Sequence, residues 1–553
     1  MSPLTLVERA RLWARSDPEA AHRAALSTLI EAGEEERLRE LFDPPLRFGT
    51  AGLRGKMGPG PGRMNRALVR RVSVSLARNF RPSDGIGRVV VGGDARHGSA
   101  EFVDDVCRAF ATEGWTVERF DGPVPTPLVA YGVLRLAAHL GVVITASHNP
   151  PEYNGYKVYG GDGVQILPDV ADSVAAVFDA LDETPALATG GGTIQSAGPA
   201  IRDHYLEAIQ AGLHAPELPR DLRVVYTALH GVGGDLMMRA LAPYAELRVS
   251  PVEAQFEPDP DFPTVRFPNP EEKGALDLAL AQAEREGAEL ILANDPDADR
   301  LAVAVRDGDG KMRPLNGNEL GVLLADYLLE CAATEPRRNL VMTTVVSSRL
   351  LSKLAEARHA VYDECLTGFK WIAHAARERE QRDGLRFLFG YEEALGYTVG
   401  TTVRDKDGIG TALHLLELAS REKAHGRTLL DRLDDIHRRH GWHRSRLLTL
   451  ELPGSEGAAR IEAIMQRLRQ HPPESLAGRK LSDCIDYAPG HAGLPPSNLL
   501  AFTLAQNGRL LARPSGTEPK IKFYLELWSH EEPPAQLDEQ LLRVADALRE
   551  EVA

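Results

Sequence analysis

Apolar and polar positions change their spacing several times along the chain. Residues 1–40 alternate charges with Leu and Ala at helical spacing, which predicts one or two amphipathic helices. The next stretch, PPLRFGTAGLRGKMGPGPGR (44–63), is too rich in Gly and Pro for a regular helix and predicts an ordered loop. A strand–helix–strand rhythm follows. RVVVGGD (88–94) and LGVVITASH (140–148) predict buried strands ending in polar loops, with a helix in VDDVCRAFATEGW (103–115) between them. The rhythm returns in DLRVVYTALHG (221–231), a strand and loop, and in GALDLALAQAEREG (274–287), an amphipathic helix closed by Gly287. AELILANDPDADRLAVAV (288–305) then predicts a strand, an acidic loop and a strand. A third unit has a helix in 318–330, a strand in 339–348, and a strand and loop in 385–397.

The last hundred residues differ. LLAFTLAQNGRLLARPSGTEPKIKFYLEL (499–527) alternates apolar and polar residues around Asn507-Gly508, a hairpin turn signal, and predicts an antiparallel α+β domain. The expected division is an α/β domain over 1–205, a second over 206–315, a third over 316–440 and an α+β domain over 441–553. In open α/β sheets ligands sit at the carboxyl ends of strands, and the polar loops 145–157, 295–300 and 390–397 are all placed there.

Composition narrows the function classes. The chain has 553 residues, 43% hydrophobic and 26% charged, as in a soluble globular protein. A net charge of −15 argues against nucleic acid as a partner, because a phosphate backbone needs a broad basic face; a small phosphorylated ligand needs only a local basic pocket. Cys107, Cys331, Cys365 and Cys484 lack CxxC spacing, so neither zinc nor a disulfide framework is expected. No apolar run approaches a membrane span and the N-terminus has no signal pattern, so a cytoplasmic protein is expected, with no membrane partner.

Four segments carry chemistry. In ASHNPPEYNGYK (146–157), Ser147 follows a buried strand; by spacing alone it reads as a turn residue, and the adjacent His148 is badly placed as its base. In DPDADR (295–300), Asp295, Asp297 and Asp299 project to one side of a tight segment lying between apolar runs. They suit a hard cation such as Mg²⁺. An EF-hand is excluded, because its Gly and Glu positions are Arg300 and Arg306. In RPSGTEPKIK (513–522), Arg513, Ser515, Gly516 and Thr517 form a compact donor set that Lys522 can join; a hairpin turn explains the segment equally well. GYEEALGY (390–397) offers carboxylates to sugar hydroxyls, or is an ordinary charged loop.

Taken in order, TASHNPPEYNGYK, DPDADR, GYEEALGY and RPSGTEPK resemble the α-D-phosphohexomutase superfamily. FGTAGLRG (48–55), YTALHGVG (226–233), DPDFPTVRFPNPEEKGA (259–275) and TGFKW (367–371) resemble its phosphoglucomutase/phosphopentomutase branch. The resemblance implies four domains around a central cleft: three α/β sandwich domains with mixed sheets, then an α+β domain. It implies that Ser147 carries a phosphate and that Asp295, Asp297 and Asp299 hold Mg²⁺ together with it. Arg54, Lys157 and Lys406 match positions near the transferring group, with Lys157 and Lys406 both open as the base, and His148 stands with these catalytic candidates. Arg300, Thr367, Gly368 and Glu392 match substrate contacts; Arg513, Ser515, Gly516, Thr517 and Lys522 match the loop for the non-reacting phosphate. The implied activity interconverts the 1-phosphate and 6-phosphate of a hexose, glucose first, through a sugar 1,6-bisphosphate. Pentose or mannose phosphates are the alternatives within the class, and a metal-dependent sugar phosphatase lies outside it. Ala394 and Gly396-Tyr397 depart from the usual sugar loops, which leaves the sugar open.

Overall fold

A computed structural model describes residues 4–48, 52–83, 85–181, 184–188, 191–215, 221–452, 456–515 and 520–552. The chain forms two compact units, Met1–Leu315 with Ala394–Arg421, and Asn316–Glu393 with Glu422–Ala553. Among the described residues no helix is long and apolar enough to cross a membrane.

The first unit opens with three helices, α1 (Leu6–Ser16), α2 (Ala20–Glu31) and α3 (Glu35–Phe42), where the periodicity predicted one or two. Two local stops explain the extra break. Pro18 follows the end of α1, and Gly33 takes the left-handed backbone (φ 69°) just after α2. α1 starts on a capping box, with Thr5 and Glu8 each bonding the other's backbone N–H.

The first sheet is mixed, in the order β1-β5-β4-β2-β3-β6: Leu53–Lys56, Tyr153–Gly160, Leu140–Ile144, Arg88–Gly93, Thr116–Arg119 and Thr193–Ser196. β4, β2, β3 and β6 run parallel, while β5 and β1 are antiparallel to their neighbours. β1 lies inside the stretch expected to be only a loop; pairing with β5 gives it regularity that its glycines do not. Val89, Val91, Leu140, Val142 and Ile144 pack on Leu68, Val72, Phe102, Val106 and Phe110 of helices Arg66–Asn79 and Ser99–Thr112. Each such buried side chain contributes roughly 1.5–3 kcal/mol. The second sheet has the order β11-β10-β9-β7-β8: Met312–Pro314, Ala302–Arg306, Leu290–Ala293, Arg223–Thr227 and Arg248–Pro251. β2, β4, β7 and β9 therefore all end at the loops that build the candidate site. Segment 394–421 adds the short strand β15 (Gly396–Val399) and the start of helix Gly408–Ala424.

In the second unit, β12 (Asn339–Thr344) lies parallel between β13 (Val361–Cys365) and β14 (Arg386–Glu392). The remaining sheet is antiparallel, β16-β21-β20-β19-β18-β17: Trp442–Glu451, Lys520–Ser529, Gly508–Pro514, Leu500–Leu504, Arg479–Asp486 and Ser475–Leu476. The expected hairpin is present but its turn is shifted. Leu504 pairs with Gly508, and the left-handed positions are Gln506 and Asn507 (φ 62° and 61°), so Gly508 opens the next strand.

Candidate active site

Ser147 lies just beyond β4, 2% exposed, with a left-handed backbone (φ 52°). For a serine that conformation costs about 1–2 kcal/mol and persists only where its surroundings impose it. One constraint is local, since the Ser147 N–H donates to Thr145 Oγ1 at 2.8 Å. The Ser147 hydroxyl donates to Asp295 Oδ2 at 2.9 Å, which joins the first sheet's loop to the second's. His148 Nδ1 is 3.1 Å from the same Oγ. Because the one hydroxyl proton goes to Asp295, that contact takes the Nδ1–H tautomer donating to Oγ. Adjacency in sequence thus did not keep His148 away. Burial, reinforced by Arg300 and Arg54, holds its pKa well below 6.5, so the ring is neutral.

Asp295, Asp297 and Asp299 are at most 1% exposed, and an oxygen from each falls within 4.8 Å of the others. Lys157 Nζ bonds Asp297 Oδ2 at 2.7 Å and Asp299 Oδ2 at 2.9 Å. Lys406 Nζ is 3.3 Å from Asp299 Oδ2 and 3.4 Å from Asp405 Oδ1. Burial and the two neighbouring aspartates push the Asp295 carboxyl well up. Burial also works against Asp297 and Asp299, but Lys157, joined by Thr126 at the first and by Lys406 and Arg300 at the second, pulls both below the usual range. Burial opposes the Lys157 ammonium as well, yet the two aspartates raise its pKa.

The cations leave part of the cluster unsatisfied. Asp297 Oδ1 and Asp299 Oδ1 are buried without a hydrogen-bond partner among the described residues. A buried acceptor left bare costs about 1–3 kcal/mol. Two such oxygens beside a third carboxylate, with only oxygen donors, fit a hard divalent cation.

The acidic loop is held from two sides. Thr126 donates its hydroxyl to Asp297 Oδ2 at 2.7 Å and its N–H to the Asp297 carbonyl at 3.0 Å. After β7, Gly231 packs so closely that a Cβ there would sit 2.4 Å from Pro296 Cα. On the returning segment, a Cβ on Gly408 would sit 2.3 Å from the Arg300 carbonyl oxygen. Leu301 N–H also donates to the Leu395 carbonyl, and Arg300 bridges Gly396. These contacts bring Lys406 to Asp299, although 107 positions separate them in sequence. Arg54 on β1 donates to Asn149 Oδ1 at 3.0 Å; burial lowers its pKa, with the three aspartates opposing. Arg300 Nη1 is 3.5 Å from Glu271. All the catalytic and metal candidates of the first unit therefore gather at one place.

Within the second unit, Glu392 Oε1 accepts the Gly368 N–H at 2.7 Å, and Thr367 Oγ1 is buried without a partner among the described residues. Lys370, buried beside this pair, has its ammonium pushed down to about 8 by burial, against the pull of Glu392. Arg513 and Lys522 stand directly opposite each other on β20 and β21, so two like charges share one face. Ser515 N–H donates to the Lys520 carbonyl. Gly516 and Thr517 lie outside the described residues. Sequence reasoning missed Arg96, Thr126 and Lys370; Thr126 acts through a partner far away in sequence and Arg96 through backbone carbonyls.

Known proteins match this arrangement along nearly the whole chain. Profiles of phosphoglucomutase/phosphomannomutase alpha/beta/alpha domains I, II and III match residues 45–185, 203–308 and 316–438, and the C-terminal domain profile matches 458–546. A phosphoglucomutase of Staphylococcus aureus is 34% identical over 92% of this chain and 94% of its own. One of Staphylococcus haemolyticus is 37% identical over 88% and 91%. The crystal structure of a phosphoglucomutase/phosphomannomutase family protein from Burkholderia thailandensis shares the fold, with a TM-score of 0.69 at 22% identity over 91% of this chain and 97% of that one.

Proposed function

Because the chain belongs to the phosphoglucomutase/phosphomannomutase family, we propose that it interconverts the 1-phosphate and 6-phosphate of a hexose, glucose by preference, through phosphorylated Ser147. The observation that carries this reading is the Ser147 hydroxyl bonded to Asp295 of a three-carboxylate loop that keeps two bare oxygens. Asp295, Asp297 and Asp299, with a phosphate on Ser147, would hold Mg²⁺. The ion supplies charge neutralisation for the phosphoryl group.

The chain's own residues do the rest. Ser147 gives its phosphate to the free hydroxyl of a sugar monophosphate, and a sugar 1,6-bisphosphate results. That intermediate turns over and returns its other phosphate to Ser147. Arg54, Lys157 and Arg300 offset the negative charge, and such electrostatic stabilisation usually supplies most of the acceleration in phosphoryl transfer. The proton of the accepting hydroxyl is assigned to the lysine pair Lys157 and Lys406, each held between two aspartates. His148 orients the Ser147 oxygen. Thr367, Gly368 and Glu392 are assigned to sugar hydroxyls. Arg513 and Lys522, with Ser515, Gly516 and Thr517, are assigned to the other phosphate; facing like charges are relieved when an anion lies between them. Domain limits near 205, 315 and 440 go with this reading. Four free thiols support a cytoplasmic location.

The deciding experiment compares kcat/KM for glucose 1-phosphate, mannose 1-phosphate and ribose 1-phosphate, with and without glucose 1,6-bisphosphate. Glucose 1-phosphate should lead, the bisphosphate should activate, and Ser147→Ala should turn over nothing while remaining folded. A lead for ribose 1-phosphate would reassign the enzyme as a phosphopentomutase. Release of inorganic phosphate without an activator would make it a phosphatase.

A further inference from the structure

We propose that Arg96 is the positioning residue of the phosphate carrier: its guanidinium holds the Ser147 loop in the one backbone conformation that aims Oγ at Asp295. The proposal rests on Ser147 being the carrier. Arg96 follows β2 and is 4% exposed. Its Nη2 donates to the carbonyl of Ser147 at 2.6 Å and, at closer range, to that of Asn149. Its Nη1 donates to the carbonyls of Pro150 at 2.8 Å and Tyr153 at 3.3 Å. One planar cation thus gathers four carbonyls from a single turn of the chain.

Ser147 opens that turn in its left-handed conformation, and the guanidinium is a donor that all four carbonyls share. Arg96 is itself fixed. Its N–H donates to Asp94 Oδ1 at 3.1 Å, its Nε is 3.3 Å from Asp94 Oδ2, and the Phe262 ring lies 4.8 Å from its Cζ. Asn154, at the loop's far end, donates to the His97 carbonyl and to Ser99, which ties the same two loops together again. Arg96 reaches only the backbone of Ser147, so it acts on the reaction through that residue. A lysine keeps the charge but cannot present a fork to four acceptors.

In the loading step the Ser147 Oγ–P bond forms as the sugar O–P bond of the bisphosphate breaks, and the serine proton ends on the departing sugar oxygen. The test is Arg96→Lys in the full-length enzyme with Mg²⁺. Ser147 phosphorylation by glucose 1,6-bisphosphate is followed by intact mass, beside kcat, KM and the melting temperature. The expected result is loading and kcat both slower by about 10²-fold, KM for glucose 1-phosphate within about twofold of wild type, and a protein that still melts cooperatively. Arg96→Ala should load slowly too and recover part of its rate in added guanidinium. Loading of Arg96→Lys at the wild-type rate would overturn the proposal, as would a fall in kcat that only tracks a smaller folded fraction. If wild-type protein takes no phosphate on Ser147, the carrier reading fails first, and this proposal with it.

Discussion

Two of the buried clusters of charge among the described residues are finished differently. In the first unit, Asp295, Asp297 and Asp299 face Lys157 and Lys406, and two carboxylate oxygens remain bare among the described residues. In the second unit, Glu526 is 3% exposed and both its oxygens are satisfied. Oε1 accepts from Ser348 Oγ at 2.5 Å, from Arg349 N–H at 3.1 Å and from His443 Nδ1 at 3.1 Å, and Oε2 accepts from Arg509 Nε at 2.7 Å. Arg509 spends its other nitrogens on the carbonyls of Val345 and Ser347. A closed network holds strands together; an open one is kept at a cost in stability for something that is to bind. Burial and charge alone would not separate the two.

The largest effect expected from this contrast is on turnover. Asp297→Asn keeps the shape of the loop and removes one carboxylate from a mutually repelling set. Activity should fall by about 10²–10³-fold, while the urea midpoint falls only slightly, because Lys157 keeps Asp299 as a counter-charge. Mg²⁺ should raise the melting temperature of the wild type, by about 2.7 kcal/mol of added stability at a hundred times its Kd, and should leave that of Asp297→Asn unmoved. A variant that loses stability and keeps activity would reverse the assignment of the two clusters.

The closed cluster should fail in the opposite sense. Glu526→Gln leaves Arg509 buried without its counter-charge and should cost about 3–5 kcal/mol in urea unfolding, with kcat per folded molecule unchanged. The pH dependence has a definite sign. Burial alone would raise the Glu526 pKa, but Arg509, His443 and Ser348 pull it down to about 2. Its folded value is below its unfolded one, so its stabilisation is complete above about pH 4.5 and is lost as pH falls toward 2. Wild type should therefore lose more stability than Glu526→Gln across that window.

The open cluster was largely legible from sequence and the closed one was not. Three aspartates in six residues keep their chemistry in neighbouring side chains, whereas Ser147 read as a turn residue by spacing and stood out only through its family motif. Arg509 and Glu526 lie 17 positions apart on adjacent strands that look like any alternating pair. Thr126 meets Asp297 across 171 positions. Arg96 was invisible for a different reason: its partners are backbone carbonyls, which every residue has. The strand–helix alternation and the C-terminal hairpin could be read from periodicity; the mixed strand directions followed only from the family resemblance. The third N-terminal helix, β1 and the position of the turn before Gly508 could not, because each depends on a local backbone choice or on a distant pairing.

A third cluster tests the distinction at its margin, with the smallest effect. Asp17 and Glu19, between α1 and α2, and His22 in the first turn of α2 also bring three metal-type ligands within 4.8 Å of one another. Its carboxylate oxygens are finished like those of Glu526, while His22 Nδ1 is buried beside Glu19 without a well-directed hydrogen bond among the described residues. Asp17 Oδ2 accepts the Trp13 indole N–H at 3.2 Å, Asp17 Oδ1 accepts the Glu19 N–H at 2.9 Å, and His22 Nδ1 forms a close ion pair with Glu19 at 2.6 Å. Burial opposes the charge on His22, but Asp17 and Glu19 outweigh it and raise its pKa from 6.5 to about 9. The protonated form is thus favoured by the fold, so the stabilisation is whole below about pH 6.5 and disappears as pH climbs through about 9. His22→Gln should lose about 1–2 kcal/mol at pH 7, a value reduced for the ring's partial exposure, and should match wild type above pH ~10. Urea midpoints of both proteins between those limits measure it. Mg²⁺ should shift the two melting temperatures equally; a shift that vanished in His22→Gln and survived in Asp297→Asn would show that unsatisfied oxygens do not mark where the ion binds.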